Sequence, residues 1–412
     1  MWNAIRPALP VLVAIALIEA GLGLLNPVIG IQLNLRGVNA LLIGIISSAY
    51  SVGFLLGSLT THRVIDRVGH IRALCVFAAL TADAIALHVV FHAPLVWLAL
   101  RIVQGYALAG AYLVIESWMN DKASAESRSR LFSVYTATSW AVSGLSPLLF
   151  NVVDARGPTL FVIAAIFMAT SLVSMGLTRV GNPEIAHRRH FGLIQLSRIS
   201  PLGVACCFGA GFLNGGLYAL LPVYTAARGL GPRELSVLIS MSTAGALLGQ
   251  LPVGYLADHY GRRPVIIATM FVSMAIALAI YSLPQASFGW VLGLFLLLNM
   301  VESPLYGLGV SQANDYIQKK DFVAASGGLL FAWGLGAAAG PGGMGYFMGR
   351  WGGEKLFLIM AIGFCAIACF AIYRILRRRA KSAREQGNYV AMPVVTTQGA
   401  GTSAATELDP RS

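Results

Sequence analysis

Apolar residues along this 412-residue chain gather into twelve long stretches, at 8–33, 40–61, 73–91, 94–116, 131–151, 159–178, 201–226, 235–257, 265–283, 287–312, 323–349 and 354–373. Short segments holding most of the charged residues separate them. Each stretch is close to or above the ~20 residues a helix needs to cross the hydrocarbon core of a bilayer. The pattern predicts an all-α membrane protein of twelve transmembrane helices, six in each of two pseudo-symmetric halves.

The halves read as copies. Arg36-Gly37, Gly53-x-x-x-Gly57, Asp66 and Gly69 recur 192 residues later as Arg228-Gly229, Gly245-x-x-x-Gly249, Asp258 and Gly261. Trp97 and Trp290 match at 193, and Pro147 and Pro341 at 194. Both copies start on the same side, so the repeat is parallel, about an axis along the membrane normal. The two tryptophans are expected at the outer ends of the fourth and tenth spans, where an indole sits in the membrane interface. The expected division is an N-terminal half at 1–178, a cytoplasmic linker at 179–200, a C-terminal half at 201–375 and a tail at 376–412. The linker holds His187, Arg188, Arg189 and His190 and has room for a short surface helix. The tail is rich in Gly, Thr, Ser and Ala, has little to bury, and is expected to be disordered.

Composition agrees with the apolar pattern: 57% of residues are hydrophobic and only 11% charged, against roughly a quarter charged in an ordinary soluble domain. The net charge of +12 would suit a nucleic-acid partner, but 22 of the 29 Lys and Arg fall on one side of the predicted bilayer. That bias is the positive-inside pattern. It places both termini in the cytoplasm, makes the lipid bilayer the partner, and disfavours nucleic acid. The first stretch is much longer than the apolar region of a cleaved signal and is expected to remain as a span. Cys75, Cys206, Cys207, Cys365 and Cys369 all fall within spans and read as buried small apolar residues, with neither a disulfide framework nor a zinc pattern. No nucleotide loop or nucleophile-base set stands out, so an enzyme, a metal site and a cofactor are not expected.

The connection between the eighth and ninth spans reads Gly254-Tyr-Leu-Ala-Asp258-His-Tyr-Gly261-Arg262-Arg263-Pro264, and its counterpart reads His62-Arg-Val-Ile-Asp66-Arg67-Val-Gly69-His70-Ile-Arg72. A connection of two or three residues between antiparallel helices needs Gly69 and Gly261 for a left-handed turn. Asp66 and Asp258 are placed to accept from nearby Arg or from N–H groups at a helix start, forming a latch that breaks when that side opens. The first loop resembles the signature loop of the major facilitator superfamily, G-x-L-A-D-R-x-G-R-[RK]-x, without the Arg after Asp. The second keeps Asp, Arg and Gly but has His62 for the leading Gly and His70 for the first closing Arg. The resemblance covers about residues 8 to 373 and implies that fold, with an acid at the inner end of the fourth span, Glu116 or Asp121 here, as partner in the gate. Ile115-Glu116-Ser117-Trp118-Met119-Asn120 is similar to the V-E-S-W-L-N stretch of the bacterial YcaD-type branch.

Within the fourth span, Arg101-Ile-Val-Gln104-Gly105 resembles the R-x-x-Q-G pattern of facilitator drug and proton antiporters. An Arg inside a span must find a carboxylate, carbonyls or water, or snorkel to the interface. Gly336-x-x-x-Gly340-Pro341-Gly-Gly343 is similar to the antiporter motif of the fifth span but lies in the eleventh, where a Gly-rich packing and bending surface is the simpler account.

The family's architecture implies that spans one, four, seven and ten line a central path. Polar or small residues share one face in each: Glu19, Gly23, Asn26 and Gly30; Arg101, Gly105, Leu108 and Tyr112; Asn214, Tyr218, Leu221 and Thr225; Asn299, Glu302, Tyr306 and Gly309. Glu19 and Glu302 fall near mid-span. A carboxylate kept charged and unpaired there costs several kcal/mol, so each should be protonated, paired or hydrated, as a proton-coupling group would be. Asp83, in a support helix, is a weaker candidate, and His88 and His92 read as interfacial. The resemblance implies a transporter working by alternating access as a monomer, with a small-molecule substrate and protons as partners. Proton-coupled export is the leading expectation. Import by symport or uniport, and a membrane scaffold or sensor that transports nothing, remain as alternatives.

Overall fold

The computed structural model describes residues 9–122, 128–176, 192–283, 287–318, 321–377 and Tyr389. Every regular element among the described residues is helical. The first half holds α1 (Leu9–Leu35), α2 (Ala40–Val68), α3 (His70–Val90), α4 (Pro94–Lys122), α5 (Arg128–Leu145) and α6 (Thr159–Gly176). A short α7 (Leu193–Ile199) follows; the rest of the expected linker, up to residue 191, and nearly all of the tail lie outside the described residues. The second half holds α8 (Pro201–Ala227), α9 (Pro232–Tyr260), α10 (Arg262–Ser282), α11 (Phe288–Glu302), α12 (Leu305–Asn314), α13 (Phe322–Trp351) and α14 (Leu356–Arg377). Among the described residues nine helices are long and apolar enough to cross a membrane, α11 and α12 together making one of them, and Thr159–Met175 is apolar but shorter. Helices α5 and α13 stand at the fifth and eleventh predicted positions.

The tenth span is not the single helix its apolarity predicts. It breaks at Ser303-Pro304 between α11 and α12. Proline has no N–H to continue the ladder, so Pro304 was the available signal, although Ser303 before it keeps helical backbone. Helix α5 likewise stops short of residue 151, passing into a 3₁₀ turn over Ser146–Asn151 that carries Pro147 at its start.

Helices alternate direction, which gives the bundle two faces. The linker face carries Gly69, Gly261 and α7; the far face carries Gly37, Gly229 and Gly352. Gly69 and Gly261 have φ of 84° and 85°, a region that favours glycine. Each is the sole residue between its two helices, tighter than the expected two or three.

The repeated glycine pairs set how closely helices pack. A Cβ on Gly53 would lie 2.1 Å from Ile102 O, and one on Gly105 1.9 Å from Tyr50 O, so α2 and α4 meet backbone to backbone. The second half repeats this between α9 and α11, where a Cβ on Gly249 would lie 1.9 Å from Met300 O. Gly336 and Gly340 do the same for α13 on α8, at 2.0 Å from Phe208 O and 2.1 Å from Phe212 O, which accounts for the glycine run in the eleventh span as a packing surface. Backbone oxygens cannot step aside as a side chain can. Gly249→Leu is therefore expected to separate α9 from α11 at a cost above the ~1–3 kcal/mol typical of overpacking. Loss of a monodisperse gel-filtration peak and a depressed melting temperature would show it; an unchanged melting temperature would refute the close-packing account.

The halves meet toward the far face. Gly30 abuts Pro222, with a Cβ at 2.8 Å from its Cγ; Gly44 faces Pro341 O at 2.1 Å, and Gly345 faces Ala40 O at 2.5 Å. Ser240 Oγ donates to Gly144 O at 2.7 Å, Arg233 to Asn151 O at 3.4 Å, and Gly342 N–H to Ser48 Oγ at 3.2 Å.

Several surface expectations change. Of the two matched tryptophans, Trp290 is 71% exposed, as an interfacial indole would be, whereas Trp97 is fully buried. The Trp97 indole N–H donates to Phe91 O at 2.6 Å, Arg36 stacks over its ring, and buried His88 packs edge-on to it, so Trp97 and His88 stand at the far-face end but are covered by protein. Cys206 and Cys207 are buried as expected, but Cys75 and Cys369 face outward. Thiols are apolar enough to sit against lipid, so apolarity alone did not decide their side.

Candidate functional site

A cavity of about 390 Å³ lies between the halves. Of the predicted residues, Glu19 and Asn26 of α1, Arg101 of α4, Asn214 and Tyr218 of α8 and Tyr306 of α12 line it. Each sits on the helix face that the i, i+4, i+7 spacing selected. Gly30 is beyond the cavity, in the contact with Pro222.

Four predicted cavity residues stand behind the wall and hold residues that line it. Tyr112 donates its hydroxyl to Glu19 Oε1 at 2.7 Å. Gln104 Oε1 accepts from Arg101 at 3.1 Å. Asn299 Oδ1 accepts from Ser242 Oγ at 2.6 Å, and Ser242 shares a 2.7 Å hydrogen bond with Tyr218, so Asn299 fixes Tyr218 through an intermediary. Glu302 is fully buried and reaches the cavity through Asn214, whose amide donates to Oε2 at 3.5 Å, and through Ser303, whose hydroxyl donates to Oε1 at 3.4 Å. Helical spacing placed Tyr112, Asn299 and Glu302 on the correct face, and the R-x-x-Q-G segment supplied Gln104. Their set-back depends on where neighbouring helices stand, which spacing does not encode.

Arg101 is 4% exposed and snorkels nowhere. Its guanidinium donates to Asn26 Oδ1 at 2.9 Å and to Gln104 Oε1, and lies 4.6 Å over the Tyr50 ring. All three partners are neutral. Its Nε is buried without a hydrogen bond, as is Gln104 Nε2. Both carboxyls are also held by neutral groups, Glu19 by Tyr112 with Ser143 within reach. The cavity is thus lined by one cationic and one acidic side chain, with a second acid, Glu302, just behind its wall, and no ion pair joins them among the described residues.

Sequence reasoning missed the rest of the lining. Tyr50 and Ser47 come from α2, Trp140 and Ser143 from α5, Thr243 from α9 and Trp333 from α13. The family's architecture names only spans one, four, seven and ten, so these helices fall outside what it implies. An aromatic or hydroxyl residue inside a span was the available signal.

The gate loops differ from expectation. Asp66, Arg67 and Arg72 are exposed, and Asp66 makes no hydrogen bond among the described residues. Asp258 accepts from the backbone N–H of Tyr389 at 2.6 Å, not from an arginine. Buried Arg262 instead pairs with Asp315 and donates to Ser311 O, and Arg263 donates to Tyr316 Oη at 2.9 Å. These bonds clamp α10 to the end of α12 inside one half and do not bridge the halves. Asp315 was legible in the repeat, since it follows Asp121 by 194 residues, the same offset as Pro341 from Pro147. Asp121's side chain lies outside the described residues, and Glu116 is buried.

Comparison with known proteins agrees with this architecture. The family model of the Major Facilitator Superfamily matches residues 11–236 and again 204–402. The MFS-type transporter YE1530 of Yersinia enterocolitica is 25% identical over 381 residues, covering 90% of this chain and 96% of its own. The MFS-type transporter YcaD of Escherichia coli is 26% identical over 362 residues, 86% of this chain and 92% of its own. Among solved structures, the nucleoside transporter NupG superposes with a TM-score of 0.74 at 13% identity, over 90% of this chain and 99% of that one. A bacterial homologue of the human lysosomal transporter Spinster, inward-facing and occupied, gives 0.74 at 12% identity over 93% and 98%.

Proposed function

The chain belongs to the major facilitator superfamily and is a multi-pass membrane transporter of small molecules, and we propose that it exports a zwitterionic organic solute in exchange for protons. The observation that carries this reading is the cavity's charge arrangement. Arg101 is buried with neutral partners only, a state whose desolvation a bound anionic group would offset. Glu19 and Glu302, likewise unpaired, suit a cationic group or a proton. A solute carrying both charges satisfies the arginine and one acid while the other acid exchanges its proton. Aromatic walls at Tyr50, Trp140 and Trp333 favour a solute with an apolar or ring-shaped body. The R-x-x-Q-G segment is the support for export.

The seal between the halves at Gly30, Gly44 and Gly345 fits a state open to the linker face. The positive-inside bias makes that face cytoplasmic and the membrane the bacterial inner membrane, with both termini inside. The chain acts as a monomer in this reading. Separation of the far-face contacts, with the linker-face ends closing, completes the alternation. Proton binding biases the exchange only by its differential affinity for the two states.

Thermal melting of the purified protein against amino acids, sugars, organic anions, organic cations and drugs tests the reading. A ligand at ~100 times its dissociation constant adds about 2.7 kcal/mol to the folded state. The expected hit carries both charges, and the stabilisation disappears in Glu302→Gln or Glu19→Gln. A hit unaffected by both variants would move the site elsewhere, and a panel without hits would return weight to a scaffold role.

A further inference from the structure

The linker-face end of α9 carries a notch that Tyr389 fills. Tyr389, 12 residues beyond the end of α14 at Arg377, donates its hydroxyl to Gln250 Oε1 at 2.9 Å and its backbone N–H to Asp258 Oδ1 at 2.6 Å. The ring stands where a side chain would be at two glycines. A Cβ on Gly254 of α9 would lie 2.3 Å from a ring carbon, and one on Gly307 of α12 would lie 2.6 Å from the phenol oxygen. Burial, with Asp258 alongside, pushes the phenol above its ordinary range.

The notch is particular to the second half. By the repeat, Gly254 corresponds to His62, and Gly307 to Leu113 or Val114, so the first half has side chains where the second half has space. A side chain at 254 would collide with the ring, so Tyr389 can sit there only while that position is glycine. The tail is expected to have little to bury, and Tyr389 is the one described residue that it seats against the helices.

Position gives the contact a consequence. Ile239, Thr243 and Ala246 of α9 line the cavity, and Gln250 and Gly254 continue the same helix face toward the linker face. On α12, Tyr306 lines the cavity and Gly307 follows it. Tyr389 thus covers the second half's wall between the cavity and the linker face. Closing that side requires the first half to approach this wall, and the two cannot occupy one place.

We propose that the Gly254–Gly307 notch is an intramolecular docking site for Tyr389, and that the docked tail holds the transporter open to the linker face until it leaves. This rests on the alternating-access reading above. A segment that binds one of two states shifts the equilibrium toward that state by its differential affinity.

Labelling of a cavity cysteine by a membrane-impermeant maleimide tests the proposal without knowledge of the substrate. Ser47→Cys, which lines the cavity, is introduced into a full-length chain lacking its native cysteines and reconstituted in nanodiscs and in vesicles of both orientations. Tyr389→Ala, and separately a stop codon after residue 385, are each expected to slow labelling from the linker face by about 3- to 10-fold and to raise it from the far face. Tyr389→Phe, which keeps the ring and loses the bond to Gln250, should fall between. Unchanged labelling in both tail variants, with melting temperatures equal to the parent, would overturn the proposal. Gly44→Leu, which acts at the far-face seal, separates the two possible failures. If it moves labelling and the tail variants do not, only the tail's role falls. If Gly44→Leu also leaves labelling unchanged, the alternating-access reading falls and the tail proposal with it.

Discussion

Gly44→Leu is expected to reverse which face of the membrane reaches the cavity. In the present structure a Cβ at this position would lie 2.1 Å from Pro341 O and 2.6 Å from Pro341 C, both backbone atoms. Helices α2 and α13 come from opposite halves, so the overlap is relieved by separating the halves at the far face without unfolding either one. Taking a two-state equilibrium from 1:99 to 99:1 requires about 5.5 kcal/mol. A leucine driven into backbone exceeds the ~1–3 kcal/mol of ordinary overpacking, so a change of that order is within reach. The measurement is maleimide labelling of Ser47→Cys from each side, expected to pass from the linker face to the far face while the gel-filtration profile stays monodisperse. Turnover should cease, because one of the two required states is lost. Labelling that keeps the parent's sidedness would overturn the reading of the Gly44–Pro341 contact as a seal and, with it, the alternating-access reading built on that seal. Gly249→Leu provides the contrast, since its clash with Met300 O lies inside one half and no rigid-body movement of the halves relieves it.

Arg101→Ala is expected to abolish binding of any ligand whose recognition depends on an anionic group. Removing one member of a buried, hydrogen-bonded charge pair costs about 2–5 kcal/mol, and ~2.7 kcal/mol already corresponds to a hundredfold loss of affinity. The apo protein should lose less, because Asn26 and Gln104 are neutral and Asn26 lines the cavity, where water can replace the guanidinium. Arg101→Lys should not restore affinity. A single ammonium cannot reproduce the planar fork that reaches Asn26 and Gln104 together while lying over Tyr50. Ligand-induced melting shifts in the three proteins decide the matter. Equal shifts in wild type and Arg101→Ala would remove Arg101 from the binding site and with it the case for a zwitterion.

The two results bear on different parts of the mechanism. Gly44→Leu probes the rocking of the halves and is indifferent to the cargo. Arg101→Ala probes the cargo and is indifferent to the rocking. Glu19→Gln and Glu302→Gln fall between, since a proton bound in the cavity affects both. Glu302 has the larger structural stake in the hinge region of its helix, because it ends α11 immediately before the break at Ser303-Pro304. Broken helices at mid-membrane are where transporters commonly place substrate and ion sites, because the freed backbone groups there face a cavity.

Apolarity, the repeat and the glycine spacing were enough to determine the all-helical fold, the duplication and the inward face of the first, fourth, seventh and tenth spans. These follow from local rules: the bilayer dictates helix length, the 3.6-residue period dictates which residues share a face, and a one-residue turn dictates glycine. Arg101, Glu19, Asn26, Asn214, Tyr218 and Tyr306 could be placed at the cavity from that periodicity. Whether a residue on the correct face lines the cavity or stands behind it was decided only by tertiary packing, as Tyr112, Asn299 and Glu302 show. The pairing of Arg262 with Asp315, the burial of Trp97 and His88, and the seating of Tyr389 against Gly254 and Gly307 likewise needed the structure. Each depends on the separation between elements distant in sequence, and a periodic pattern carries the direction a side chain takes from its helix but not the distance to whatever it meets.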